Sequence, residues 1–507
     1  MKQSRTASLF AAALLCASVA CPLFAQVTTV TIPPDIRKLQ PPAPWEKIPV
    51  PPLHAFHPEQ PTRIELKNGL VILLEPDHEL PFINGSINIR GGSRDVPADK
   101  TGLIDLYSQA WRTSGTATQS GDQLDDLLAS KAANVETYGD IDSTSVAWSC
   151  FTKDEDQVFG IAVDLLEHPA FNEQKLRLAQ QQEIAGIVRR NDTAQGIAAR
   201  EAAVLVYGKD SPYARQPEIA TVMGITLDDL KAWHAKTVVP NNIIVAVEGD
   251  FDPAAMEKSL RAAFGGLPRG PAWPKPSGEF AGPKPGIYFV NKTDIDQSNI
   301  WILGLGTTRR NPDFYALTVM NEIFSGGFGS RLVQDVRTKQ GLAYAVFGNY
   351  GASFDHPGIF YTIAMTKSAT TVKTTQAMLK EIHELKTEPF TASELASAKD
   401  QLLNSFIFHY DSKDKVLARA TELEFYGYPA DYLTKYEAGI KAVTLADLQR
   451  VADKYIDPSR LAILVVGNQA SFGTPLTALN LGPVTPLDIT IPMPAAMRRQ
   501  MGQQGAQ

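Results

Sequence analysis

The chain has 507 residues, 44% of them hydrophobic and 20% charged, which is enough for two or more domains with full cores. A formal net charge of −7, with no basic stripe anywhere, excludes nucleic acid as the main partner. Of the three cysteines only Cys150 lies beyond the first 25 residues, so neither an internal disulfide nor a cysteine-based metal site is available after that point.

In chain order, residues 1–25 read as a secretory signal. Lys2 and Arg5 precede an apolar run from Leu9 to Ala20, and Phe24-Ala25 offers a small-residue cleavage site before Gln26. That run is too short to span a bilayer comfortably, and no later stretch is long and apolar enough. The expected product is periplasmic or secreted, without a transmembrane segment. Cys21, after Ser18-Val19-Ala20, offers lipid anchoring as the alternative, although Ser18 stands where a lipoprotein box usually has leucine.

Residues 26–61 are rich in proline and predict an extended arm. A first domain is expected over 62–264 and a second over 287–470, joined by a Gly- and Pro-punctuated linker at 265–286. Residues 471–507 predict a flexible tail. The two domains are repeats. Thr226, Leu227, Asp229, Leu230, Lys236, Pro240 and Gly249 match Thr444, Leu445, Asp447, Leu448, Lys454, Pro458 and Gly467 at a constant offset of 218 (444 − 226). A period that long indicates a duplicated domain rather than a solenoid.

Each repeat closes alike. Thr226 or Thr444 starts a helix with an acid three residues on, a capping box, and the helix runs to a proline before an apolar strand ending on glycine. Strands are predicted at Leu70–Leu74 and Ile300–Leu305, and helices over Ala179–Arg190 and Val372–Leu385. Cys150 reads as a small buried residue of a strand. The pattern predicts an α+β fold of two homologous halves, each a mixed or antiparallel sheet backed by helices on one side.

Two segments carry the chemistry. Gly102 to Thr116 reads GLIDLYSQAWRTSGT, and helical spacing puts Asp105, Ser108 and Gln109 on one face. Farther on, FSGGFGSRLVQDVRTKQGLAYAV starts at Phe324, with Gly326, Gly327 and Gly329 in a glycine-rich loop and Arg337 seven residues before Tyr344. No Lys-Ser/Thr follows that loop, so it is not a nucleotide loop. The eight histidines, His54, His57, His78, His168, His234, His356, His383 and His409, include no i, i+4 pair.

Together with LKNGLVILLEPDHELP at Leu66 and NIRGGSRDVPADKTGL at Asn88, these segments resemble the insulinase and pitrilysin family of inverzincin metallopeptidases. The short-chain branch that includes the mitochondrial processing peptidase is the nearest in pattern, over about Arg63 to Asn468. That resemblance implies a clamshell of the two halves. In the family's H-x-x-E-H helix two histidines hold zinc and a glutamate serves as base. Here those places hold Asp105, Ser108 and Gln109. Zinc takes imidazole, thiolate or carboxylate, usually three or more from the protein; Asp105 alone qualifies. The family's last ligand, a glutamate on a later helix, falls near Gly186, with Glu183 a turn earlier as a substitute. Whether Asp105 and Glu183 hold a harder cation such as Mg²⁺ stays open.

The resemblance implies a chain that binds no cofactor of its own and pairs with a homologous, zinc-bearing peptidase subunit. Arg337 and Tyr344 would grip peptide or unfolded polypeptide, an arginine fork on carbonyl or carboxylate and a phenol on the oxygen that turns negative. The glycine loop would sense substrate, and Gly341 would turn helix into strand. The alternatives are a non-proteolytic structural or peptide-binding protein of the same fold, and a hydrolase using Ser108 or Ser114, for which no G-x-S-x-G elbow is present.

Overall fold

A computed structural model describes residues 58–494 apart from Lys275 and Ser277. The expected signal and all but the last four residues of the arm lie outside the described residues. So does the tail beyond 494.

The first half contains β1 (Thr62–Glu65), β2 (Val71–Pro76), β3 (Phe82–Arg90), α1 (Leu103–Ser114), α2 (Gly121–Ser130), β4 (Asn134–Gly139) and β5 (Ser143–Phe151). Helices α3 (Glu155–Glu167), α4 (Glu173–Arg189), α5 (Ala194–Tyr207), α6 (Ile219–Met223) and α7 (Leu227–Thr237) follow, then β6 (Ile243–Gly249) and α8 (Pro253–Phe264). The second half repeats the scheme with β7 (Gly286–Asn291), β8 (Gln297–Leu305), β9 (Thr307–Thr308), α9 (Phe314–Ser325), β10 (Ala343–Ser353) and β11 (Pro357–Lys367). It ends with α10 (Thr371–Thr387), α11 (Ala392–Phe406), α12 (Lys413–Tyr426), α13 (Tyr432–Ala442), α14 (Leu445–Tyr455), β12 (Ala462–Gly467) and β13 (Val484–Pro486).

The strand orders are β1-β2-β6-β3-β5-β4 and β13-β7-β12-β8-β11-β10-β9. Without the outermost additions both sheets have one topology: a parallel first pair, β2 with β6 or β7 with β12, then antiparallel neighbours out to β4 or β10. The duplication read from the paired Thr, Pro and Gly residues is thus a duplication of fold. The two capping boxes form as the sequence predicts. The Thr226 hydroxyl accepts from the Asp229 amide and Thr444 from that of Asp447, with each carboxylate bonding back.

The expectation of helices on one side of each sheet needs correction. The inner faces pack on their own half's helices: Ile72, Leu74, Val245 and Val247 join α1 and α3 in one core, and Ile300, Val465 and Met378 lie in another. The opposite faces are covered by a helix from the other half. Ile197, Ala198, Ala202 and Val206 of α5 pack on Leu303, Ala462, Leu464 and Val466, while Leu417 of α12 packs on Val71, Leu73, Ile244 and Ala246. The halves therefore exchange equivalent helices. This explains why β6 (IIVAVEG) and β12 (AILVVG) are almost continuously apolar: a strand covered on both faces cannot alternate. In β5 alternate residues are buried, Cys150 among them.

The linker is pinned at two points. Trp273 meets Trp233 edge-on at 6.2 Å, and Phe280 lies 5.7 Å from Tyr207. The tail also departs from its expectation as far as it is described. Residues 484–486 add β13 to β7, and Leu487 donates its amide to Phe289. Ile491 and Met493 then pack against the first half's core, so apolar side chains among the prolines hold this stretch down.

Candidate functional site

Helix α1 is nailed in place on its buried side. Gly102 caps it with φ of 101°, a left-handed conformation that suits glycine. Trp111, fully buried, donates its indole N–H to the Leu165 carbonyl at 2.7 Å. Arg112 donates Nε to the Val135 carbonyl and pairs with Asp125 at 2.6 Å. The Tyr107 hydroxyl lies 2.8 Å from His234 Nδ1, and His234 Nε2 lies 2.8 Å from the Leu166 carbonyl. A carbonyl can only accept, so Nε2 carries the proton and Nδ1 accepts from the phenol. Burial holds His234 down at about 4, so it is a neutral structural residue.

The other side of α1 presents Asp105, Ser108 and Gln109. The Ser108 hydroxyl turns back onto the Asp105 carbonyl at 3.2 Å, and Thr137 donates to the Ser108 carbonyl at 2.5 Å. Burial pushes the Asp105 carboxyl above its usual range. Glu183 on α4 is raised too, first by burial and then by the Asp105 charge. Gly186, the other candidate for the later ligand, is exposed, and a Cβ built there meets nothing within 4 Å. Beside Asp105 lies a cavity of about 240 Å³ lined in part by Ile104, Gly139, Asp140 and Arg215. Edge strand β4 ends on Gly139 because the helix leaves no room: a Cβ there would lie 2.4 Å from Ile104 Cγ2.

Two carboxylates, a turned-in serine and an amide do not fit zinc, which takes three or more nitrogen, sulfur or carboxylate ligands. Among the described residues no group of three or more His, Cys, Asp or Glu is placed to hold a metal ion. Among the described residues the Ser108 hydroxyl donates to the Asp105 carbonyl, which cannot draw off its proton.

In the second half, α9 ends at the glycine loop. Gly326 has no Cβ because one would lie 2.1 Å from the Glu322 carboxyl carbon, and Gly327 sits at φ of 119°. Burial lifts Glu322 to about 7. Gln401 donates to the Gly326 carbonyl, Gln334 to that of Phe328, and the Ser330 hydroxyl to that of Gly327 at 2.6 Å. These bonds fix the loop with Phe328 72% exposed. Past it, Val333–Lys339 form a π-helical turn, Gly341 reverses the chain at φ of 62°, and β10 begins.

Arg337 lies on the π turn, its guanidinium 5.0 Å above the Phe328 ring. Tyr344, on β10, is 83% exposed. No hydrogen bond joins the two among the described residues, and no carboxylate pairs with Arg337. Tyr344 is thus presented outward, while Arg337 is half-buried and stacked on Phe328. The outer edge of β10 is partly closed: Ser325 accepts from the Gly348 amide at 2.5 Å and Asn321 from that of Tyr350 at 2.7 Å. The sequence did not single out Phe328 or Glu322. The spacing of Glu322 four residues before Gly326, one helical turn, was the available signal.

Comparison with known proteins agrees with this geometry. Residues 224–402, which include the glycine loop, Arg337 and Tyr344, match the family described as the peptidase M16 inactive domain. The non-peptidase homolog YmxG of Helicobacter pylori is 24% identical over 407 residues, 78% of this chain and 92% of its own length. A solved peptidase M16 inactive domain from Pseudomonas fluorescens superposes with a TM-score of 0.72 at 23% identity, over 80% of this chain and 98% of that one. The periplasmic protease PqqL of Escherichia coli gives 0.67 at 15% identity, over 80% of this chain and 45% of its own. The likeness to these solved structures is one of fold, and the similar chains carry both non-peptidase and zinc-protease names, such as the uncharacterized zinc protease YmxG of Bacillus subtilis, 23% identical over 70% of this chain and 86% of its own length.

Proposed function

We propose that this chain is the exported, non-catalytic, substrate-gripping subunit of a zinc-dependent endopeptidase. It pairs with a homologous subunit that carries the intact H-x-x-E-H helix and holds the zinc. What carries the reading is the contrast between the two segments. The helix that should cut has a donor set unfit for zinc, while Tyr344 is exposed and Arg337, stacked on Phe328, has no carboxylate partner among the described residues.

In this role the Arg337 fork takes a peptide carbonyl or carboxylate, and the Tyr344 hydroxyl donates to substrate oxygen. Peptides or unfolded segments are the expected substrates, laid extended along a sheet edge. Export rests on the Lys2 to Ala25 segment and on the periplasmic location printed for PqqL. No helix among the described residues is long and apolar enough to cross a membrane.

The test is co-expression with a neighbouring homologue that has H-x-x-E-H, followed by co-purification and peptide cleavage. A stable complex whose turnover falls about a hundredfold with Arg337→Ala or Tyr344→Phe, without dissociation, supports the reading, since one lost transition-state donor costs about that much. Undiminished turnover in both variants removes the two residues from the mechanism. Failure of any zinc-bearing homologue to associate favours the structural or peptide-binding alternative.

A further inference from the structure

A cavity of about 700 Å³ opens at the seam of the two halves, lined by Arg90, Arg94, Trp273, Arg310, Phe354 and Tyr426 among others. That volume suits a small molecule. Three guanidiniums in its wall face two carboxylates, Asp142 and Asp355, and both carboxylates are already engaged. Asp355 accepts from Arg94 Nη1 at 2.8 Å and lies 2.8 Å from His356, while Asp142 accepts the Tyr426 hydroxyl.

Arg90 and Arg310 have no carboxylate partner among the described residues. Each uses Nη2 alone, on carbonyls at the C-terminal end of α12. Arg90 reaches Phe425 at 2.9 Å and Glu424 at 3.3 Å; Arg310 reaches Tyr426 at 2.9 Å and Gly427 at 3.1 Å. Nε and Nη1 of both have no protein hydrogen bond among the described residues. Arg94 is 8% exposed, and its Nε also lacks a hydrogen-bond partner, with the Asp95 carboxylate 3.8 Å away.

Cationic capping of a helix C-terminus accounts for the two Nη2 groups. It leaves the remaining donors of both guanidiniums free to meet a ligand in the cavity. The guanidiniums are stacked, Arg90 at 5.0 Å over Phe425 and Arg310 at 4.2 Å over Tyr428. Arg309, likewise without a carboxylate partner, lies 4.2 Å over Phe354. Arg310 is exposed, whereas Arg90 is half-buried, and burial lowers its affinity for its proton although the Glu424 charge opposes this.

We propose that this seam cavity binds a small organic anion, its carboxylate or phosphate held by Arg90 and Arg310 and its body lying along the Trp273 wall. The site is separate from α1 and from the Arg337 turn, so it stands or falls independently of the pairing proposed above. Two sources share this chemistry: the terminal carboxylate of a peptide ending in an aromatic residue, and a nucleoside monophosphate.

The full chain is titrated calorimetrically, at constant ionic strength, with N-acetyltyrosine, N-acetyltyrosinamide, AMP and inorganic phosphate, and its melting is followed with each. Saturable binding of N-acetyltyrosine or of AMP, with a higher melting temperature and none for the neutral amide, is expected, and the probe that binds identifies the source. Arg310→Gln should weaken that binding at least about tenfold, the loss of one charge-assisted contact. Arg310→Lys, which keeps charge and cap but not the fork, should fall between, and it serves if the glutamine variant does not fold. No saturable binding of any probe up to millimolar concentration overturns the proposal. So does equal affinity in wild type and both variants, or binding of phosphate alone as tight as that of the organic anions.

Discussion

Glu322 sits under a loop that cannot tolerate a side chain at Gly326, and this pairing makes a residue-scale prediction about pH. Its carboxyl is raised by burial from the ordinary 4.5 to about 7, so the folded chain holds the proton more tightly than the unfolded chain. Stability from this group is therefore present below about 4.5 and is lost as pH climbs through about 7. Glu322→Gln should raise the melting temperature at pH 8 and leave it unchanged near pH 4, as read by thermal denaturation at the two values. An equal shift at both would assign the effect to packing. His234 acts with the opposite sign. Depressed by burial to about 4, it costs stability as pH falls below 6.5, and His234→Gln should blunt that acid-side loss. That Asp105, Ser108 and Gln109 share one helix was legible in the sequence, since it needs only helical periodicity. The effect of the Asp105 charge on Glu183 was not, because it depends on how α4 packs on α1.

At the scale of elements, α5 and α12 decide whether the two halves act as one body. Leu417 is 6% exposed and packs on Val71, Leu73 and Ile244 of the other half's sheet. Leu417→Ala should cost about 2–4 kcal/mol, a cavity in a core contact, in a denaturant titration. Thr226→Ala and Thr444→Ala should each cost about 1 kcal/mol, the usual loss of an N-cap. If the halves melt separately in Leu417→Ala but together in the cap variants, the exchanged helix is what couples them. Periodicity located β2, β8 and α10 to within three residues at each end, whereas α4 begins six residues before its predicted start. The exchange itself was readable only indirectly. The unbroken apolar runs of β6 and β12 announced strands covered on both faces, but nothing in them names the covering helix. The glycine loop and Gly341 were legible because left-handed and crowded backbone positions demand glycine. The π-helical turn between them has no comparable sequence signature.

For the whole molecule, duplication supplied two copies of one sheet-and-helix scheme, and the copies have diverged in what they display. The first half keeps the frame of a zinc helix, held by Trp111, Arg112 and Tyr107, with an incomplete donor set on its outer face. The second half keeps an exposed tyrosine and a half-buried arginine beside a fixed glycine loop. On the proposed reading, a chain so divided would hold substrate and leave bond cleavage to another. The most direct test is the zinc content of the purified full chain after exhaustive dialysis against added zinc, read by atomic emission. The account predicts far less than one zinc per chain, unchanged in Asp105→Ala. One tightly held zinc per chain that disappears in Asp105→Ala would contradict it.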